Sequence, residues 1–387
     1  MNILRRIISV ALCLFVFIGC FTGCSELPEL SSDHHNNTSV QYTDLLTGLN
    51  VTTDTGLADY TDSFEKPIFV QDRIWALGWT EDKSYNVQGT LPAPLLIGAA
   101  TDGSDAVRHI LQMPDFPVEE DWLGIATPQV LLANTNGDLY YISKFRQHPK
   151  DENLEVASSE SVTTFTLCSI TSEGVIQNAI PLTALANCSE VFSAITVENT
   201  AWLLTDKNVA RVLLDDGSIK TFDLPEPFLN GDMLALSDGT ILLLNWNGYC
   251  YRLMSDETWS DTLTLPITFD QAKQSNAVFP SSGNTTISPT IWDTTGIWQW
   301  DIKANTTTPL FRWLDSGIDV DLILTVFDLH DGRYLLVSMS DDRPALNFIT
   351  LTPVSTESLV NRTIVTIGST GNISDNLRKA ILAFNSS

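Results

Sequence analysis

The chain has 387 residues, enough for a large core, and carries a formal charge of −26 with a pI near 4.3. That balance argues against nucleic acid and against charge-driven adhesion to anionic lipid, since both select basic surfaces. Charged residues are only 18% of the chain, and Ser, Thr and Asn are plentiful, which suits an exposed all-β protein.

Met1–Cys24 has the layout of a secretory signal. Arg5 and Arg6 form a positive start, and Ile7 to Ile18 is an apolar run too short for a comfortable membrane span. Phe21-Thr22-Gly23-Cys24 resembles the lipobox of bacterial lipoproteins, with Phe21 where Leu is usual. The resemblance implies cleavage before Cys24 and a diacylglycerol on its thiol. Phe17-Ile18-Gly19-Cys20 is the alternative site. Loss of Arg5 and Arg6 leaves a mature charge of −28. Residues 25–39 are polar and read as a flexible tether; His34-His35 on such a tether are weak metal ligands.

From residue 40 to 355 the signal is short strands separated by turn residues, grouped in repeats of the size of one propeller blade. The first repeat has strands at Pro67–Gln71, Arg73–Thr80, Leu95–Thr101 and Val107–Gln112, with a polar insertion at Glu81–Pro94. The second has Val130–Ala133, Asp138–Phe145, Val162–Ile170 and Val175–Ile180, with a charged insertion at Arg146–Glu160. The third is compact, with Val191–Val197, Ala201–Thr205, Val209–Leu214 and Ile219–Leu224.

The fourth repeat is the clearest, with Asp232–Ser237, Thr240–Asn245, Tyr249–Met254 and Asp261–Leu265. Asp238-Gly239 and Asn247-Gly248 sit between its first three strands and supply the positive φ of tight hairpins. The fifth has Ala277–Pro280, Thr286–Trp292, Ile297–Ile302 and Leu310–Leu314. The sixth offers only Asp321–Leu329, Tyr334–Ser340 and Ala345–Leu351. Four repeats close on Pro114, Pro181, Pro225 and Pro266, at steps of 67, 44 and 41 residues. Proline suits the end of an outer strand, because it cannot donate to a further ladder. The missing fourth strand of the last repeat is expected from Val40–Leu49, which closes the ring and removes exposed edges. The expected fold is a β-propeller of six four-stranded blades, with seven blades or a pair of two-sheet β domains as alternatives.

Chemistry-bearing residues are sparse. Cys168, Cys188 and Cys250 lie in the body with no CxxC or clustered His, which argues against zinc. Cys168–Cys188 is the pair considered for a disulfide, and Cys250 reads as a small core residue. His109, His148 and His330 fall on different repeats and flank no nucleophile motif. No cofactor and no catalytic set is expected. Trp292, Trp298 and Trp300 are the candidate ligand-binding residues: exposed, such rings stack on sugar faces, and buried, they fill the wedge between blades. Asp102-Gly103-Ser104-Asp105 and Asp341-Asp342 resemble fragments of calcium loops but read as turns.

Beyond residue 355 the pattern changes to a polar linker, a strand at Thr363–Gly368, an N-cap at Ser374 and a helix over Asp375–Phe384. Leu377, Ile381 and Phe384 share one helix face. TIVTIGSTGNISDNLRKAILAFNSS resembles the opening strand and helix of bacterial extracellular solute-binding proteins that serve ABC importers, Ala383-Phe384-Asn385 matching the helix ending. The resemblance implies that residues 356–387 are a linker and a truncated start of an α/β binding domain. Three functions follow as expectations. The first is a lipid-anchored binding protein on the outer face of a bacterial membrane, associated with an ABC permease and a small-molecule or glycan ligand. The second is a surface scaffold that binds protein, and the third is a propeller enzyme on surface polymers.

Overall fold

Runs such as Ile241–Asn245 (ILLLN) lack polar alternation, and a strand reads that way when both its faces are buried. The computed structural model describes residues 47–49, 380 and most of 67–352. Outside the description lie 1–46, 50–66, 81–92, 151–160, 267–275, 281–288, 314–317, 340–345, 353–379, 381–387 and a few single positions. Within it, β1 (Thr47–Leu49) precedes six sheets laid down in order.

Blade 1 is β2 (Ile68–Val70), β3 (Arg73–Thr80), β4 (Ala93–Ala100) and β5 (Val107–Ile110). Blade 2 is β6 (Trp122–Ala133), β7 (Leu139–Pro149), β8 (Val162–Ile170) and β9 (Ile176–Pro181). Blade 3 is β10 (Val191–Val197), β11 (Thr200–Thr205), β12 (Asn208–Leu213) and β13 (Ile219–Asp223). Blade 4 is β14 (Gly231–Ala235), β15 (Ile241–Asn245), β16 (Tyr249–Leu253) and β17 (Leu263–Thr264). Blade 5 opens with β18 (Asn276–Ala277); then β19 (Phe279–Pro280) leaves it, before β20 (Thr290–Trp292), β21 (Gly296–Asp301) and β22 (Thr306–Arg312) complete it. Blade 6 is β23 (Ile323–Asp328), β24 (Tyr334–Met339) and β25 (Leu346–Thr352).

The last blade takes its fourth strand from the start of the chain: β1 pairs antiparallel with β25, Thr47 opposite Thr352 and Leu49 opposite Thr350. Both ends of the described body therefore lock one sheet. Six hydrophobic cores seal the ring, one for each pair of neighbours, and the period of two in each strand deals its side chains out between them. Ile74 and Ala76 of β3 join Phe327, Leu335 and Val337 of blade 6, while Trp75 and Leu77 join Leu131 and Tyr141 of blade 2. Ile142 faces Leu203, Leu204 faces Met233, and Leu242 faces Trp300. The circuit closes with Trp292 and Phe311 against Val326 and Leu336. The molecule is an all-β, six-bladed propeller.

Several expected strands need correction. The expected first strand of blade 5, Ala277–Pro280, is divided: β18 pairs with β20, and β19 pairs in parallel with β23 of blade 6. Pro280 has no N–H to donate, so it cannot continue the ladder with β20. The insertion expected at Arg146–Glu160 begins too early, because Arg146–Pro149 belong to β7. The first strand of blade 2 runs from Trp122, eight residues before the expected Val130. Its start carries Gly and Thr between apolar residues and lacks the dense apolar run that marked the other strands. Turn chemistry is as expected in blade 4, where Gly239 and Gly248 hold φ of +83° and +84°. The Asp102-Gly103, Asp341-Asp342 and His330 positions, the Thr363–Gly368 strand and most of the Asp375–Phe384 helix lie outside the described residues.

Each blade runs from its inner to its outer strand. Inner strands therefore start at the same end of the ring where second strands finish. That end is the entry rim; the other carries the hairpins between first and second strands, such as Gln71-Asp72 with φ of +49° and +58°.

Candidate functional site

The residues singled out from sequence separate in space. Trp292 sits in the core between blades 5 and 6, edge-on to Trp313 at 6.1 Å and 89°. Trp298 and Trp300 share one strand face and pack toward blade 4. Their indole nitrogens donate to Asp293 Oδ1 at 3.0 Å and Asn305 Oδ1 at 3.2 Å. All three rings therefore serve as wedges between blades. The buried Asp293 carboxylate also receives Thr295 N, Thr295 Oγ1 and Gly296 N, so it is held as a turn device. Cys24 and its alternative Cys20 lie outside the described residues.

Cys168, Cys188 and Cys250 are all free and buried, so the Cys168–Cys188 disulfide does not form. The two belong to different cores: Cys168 faces blade 1 and Cys188 faces blade 3. Burial raises all three thiols, Cys168 to about 11 and Cys250 to about 12, which keeps them protonated and inert. Among the described residues no three His, Cys, Asp or Glu groups gather as a metal cluster.

One feature of the entry rim was not anticipated. β6 and β7 are 12 and 11 residues long, whereas the inner strands of blades 3, 4 and 6 have 7, 5 and 6. The first half of β6 and the last of β7 thus form an arm with no counterpart in those blades. Its pairing is regular, with Leu123 opposite His148, Ile125 opposite Arg146 and Ala126 opposite Phe145. Cross-strand partners share a face. One face of the arm carries Gly124, Ala126 and Phe145. There Phe145 is buried and stacks on Phe116 at 4.3 Å and 6°. The ring lies so close over Gly124 that a Cβ there would come within 2.6 Å of it, which is why glycine is needed.

The other face carries Leu123, Ile125, Lys144, Arg146 and His148, and Leu123 and Ile125 are 49% and 61% exposed. Lys144 pairs across to Glu190 of blade 3. Glu190 is itself fixed, because its N–H and that of Ser189 donate to Asp206 Oδ1 at 3.2 and 2.7 Å. Burial pulls the Asp206 carboxyl upward, but hydrogen bonds from Ser189 and Glu190 outweigh it and leave it below the ordinary carboxylate range. Arg146 is exposed, and among the described residues its partner is the neutral Ser161 hydroxyl, 3.4 Å away.

The neighbouring inner strand adds a ring. β10 packs directly beside β6. It has a bulge between Val191 and Ser193 that leaves Phe192 out of register, 37% exposed. Bulges re-aim side chains next to functional surfaces. Of the nine large apolar side chains exposed among the described residues, Leu123 and Ile125 share the outer face of the arm and Phe192 is on the adjoining strand, while Val118 and Val162 lie with Gly124 on the opposite face. Isolated exposed apolar groups need no explanation, but a gathering of this kind marks a contact surface. Sequence patterning missed it because exposed Leu and Ile in a strand read like any core residue.

No protein-family model matches the chain, and no curated protein is detectably similar. Among solved structures it is similar to virginiamycin B lyase from Staphylococcus aureus at 13% identity and a TM-score of 0.42, over 79% of this chain and 99% of that one. Ycf48 bound to a D1 peptide is similar at 12% identity and 0.42, over 78% of this chain and 79% of that one. The WD40 propeller domain of Doa1 is similar at 10% and 0.39, over 82% and 100%. At these values the likenesses say nothing of activity. The blade count rests on the sheet order and the six shared cores.

Proposed function

We propose that this chain is a non-catalytic recognition propeller, held at the outer face of a bacterial membrane by a lipid on Cys24, and that it binds other proteins through the entry rim at blades 2 and 3. The observation that carries the reading is the arm, a strand pair with Phe145 packed on one face and Leu123 and Ile125 exposed beside Arg146 and His148 on the other. Rigid apolar surface beside charged groups is the usual make-up of a protein contact. The anchor rests on the lipobox-like Phe21–Cys24, and the solute-binding-like ending adds an association with an importer to the reading.

Two measurements test it. A fatty-acid probe fed to producing cells labels the protein, and Cys24→Ala abolishes the label; label that persists in the mutant moves the anchor to Cys20. A photo-crosslinking residue placed at Leu123 on intact cells captures one or a few defined surface proteins, while the same residue at Val175 on the hairpin end does not. Equal capture from both positions, or none from Leu123, overturns the recognition reading.

A further inference from the structure

We infer that the partner presents an extended peptide strand in which carboxylates alternate with aliphatic or aromatic side chains, and that this strand is added to the open edge of β6. The inference rests on the recognition reading above and gives it a chemistry. Three observations point to such an occupant.

First, β6 is a terminal strand of its sheet, bonded to β7 on one side only among the described residues. An unpaired strand edge is a template for a further strand, and main-chain hydrogen bonds then supply affinity without regard to sequence. Along the channel, neighbouring inner strands crowd such an edge, but β6, with 12 residues, is longer than its neighbours β2 and β10, with three and seven. Second, the face beside that edge is graded. Leu123 and Ile125 lie next to it, with Phe192 on the adjoining blade. Side chains of an added strand that share this face would meet apolar surface, as cross-strand neighbours do. Third, the charge behind that apolar row is positive. It rests on Arg146, which stands opposite Ile125 and with which no carboxylate pairs among the described residues. A guanidinium on a long stem reaches across an aliphatic neighbour and matches a carboxylate with two parallel hydrogen bonds. Lys144 does not contribute, because Glu190 already neutralises it.

The arm is also preorganised. The Phe116–Phe145 stack and the close fit over Gly124 hold it before any partner arrives, which lowers the ordering cost of binding.

The experiment is selection of a random displayed-peptide library on the full chain, repeated on Ile125→Asp and on Arg146→Glu. Thermal melting of both variants checks that the propeller is intact, and both sites are exposed, so little change is expected. The expected result is enrichment of peptides with Asp or Glu among aliphatic and aromatic residues, with affinity reduced about tenfold or more in each variant. Arg146→Glu should in addition reverse the selection, so that Lys- and Arg-bearing peptides are enriched, an outcome that a purely structural role for Arg146 does not produce. Peptides that bind wild type and both variants equally overturn the arm as the site but leave recognition standing. A failure to enrich any peptide, together with failed cross-linking from Leu123, overturns both. Arg146-dependent binding of dextran sulfate in place of any peptide assigns the arm to an anionic polysaccharide and overturns the inference.

Discussion

Blades 4 and 2 are the same four-stranded unit built to different ends. In blade 4 the first three strands have five residues each, and all of β14 and β15 is buried. In blade 2 the matching strands have 12, 11 and 9 residues, and the last three residues of β6, Leu131–Ala133, are buried while Leu123–Ile125 near its beginning are exposed. The difference teaches that neighbouring blades set how much of a strand they can cover. A strand that outgrows them must bring its own cover, and the arm does so on one side only, with Phe145 on Phe116. What remains open on the other side is where function is most economically placed.

The largest expected effect separates the two blades by stability. Leu243, fully buried between blades 3 and 4, should cost about 3 kcal/mol when cut to Ala, since the cavity cannot collapse in a close-packed wedge. Ile125→Ala in the arm should stay within about 0.5 kcal/mol. Urea unfolding measures both, and equal losses would mean the arm is part of the core and the comparison is misdrawn.

Next comes Gly124→Ala. Its new Cβ would lie 2.6 Å from the Phe145 ring, so the stack must shift at a cost of about 1–2 kcal/mol. Loss of arm-dependent peptide binding should accompany it. Unchanged stability would show that the ring moves freely and that the arm is not preorganised.

A third effect is confined to alkaline conditions and to the cores. Burial raises Tyr334 to about 12 and Cys250 to about 12. A group whose acidity is weakened by folding favours the native state below its unfolded pKa. Its contribution is lost as pH climbs through the folded value. Stability should therefore decline from about pH 10 upward for Tyr334. Mass mapping after alkylation at mild alkaline pH should find Cys168, Cys188 and Cys250 unmodified until the chain is unfolded. Modification of Cys250 in the native protein would show that the blade 4 wedge opens.

The smallest effect lies at the hairpin end. Asp216 and Asp238 accept the N–H groups of Ser218 and Thr240 at 2.8 and 2.9 Å. Side-chain hydrogen bonds from those residues lower both carboxyls below the ordinary value of 3.8. Depressed carboxylates favour folding above their unfolded pKa and lose that contribution as pH falls through the folded one. Asp216→Asn should therefore leave neutral stability nearly unchanged and slightly flatten the acid limb of a thermal-melt profile. A large loss at neutral pH would give this exposed turn a weight the comparison denies it.

Much of the ring was legible because propeller physics is local. The Asp238-Gly239 turn and the runs at 241–245 and 334–339 announce hairpins with two buried faces. The strand missing from the sixth repeat led to the chain start, where β1 pairs with β25. The arm was not legible, because Leu123 and Ile125 have the composition of core residues and only the length of β6 relative to β10 exposes them. The tryptophans offered the opposite ambiguity, since a ring that wedges two blades and a ring that stacks on a ligand have the same sequence.

By itself the sequence determined the unit, its repetition and its closure, since turn chemistry and the period of two act over a few residues. The tertiary structure alone decided which apolar side chains are covered, because cover depends on how far each neighbouring blade extends. It therefore decided that Trp300 is interior and Ile125 is surface, and with that where this protein can meet a partner.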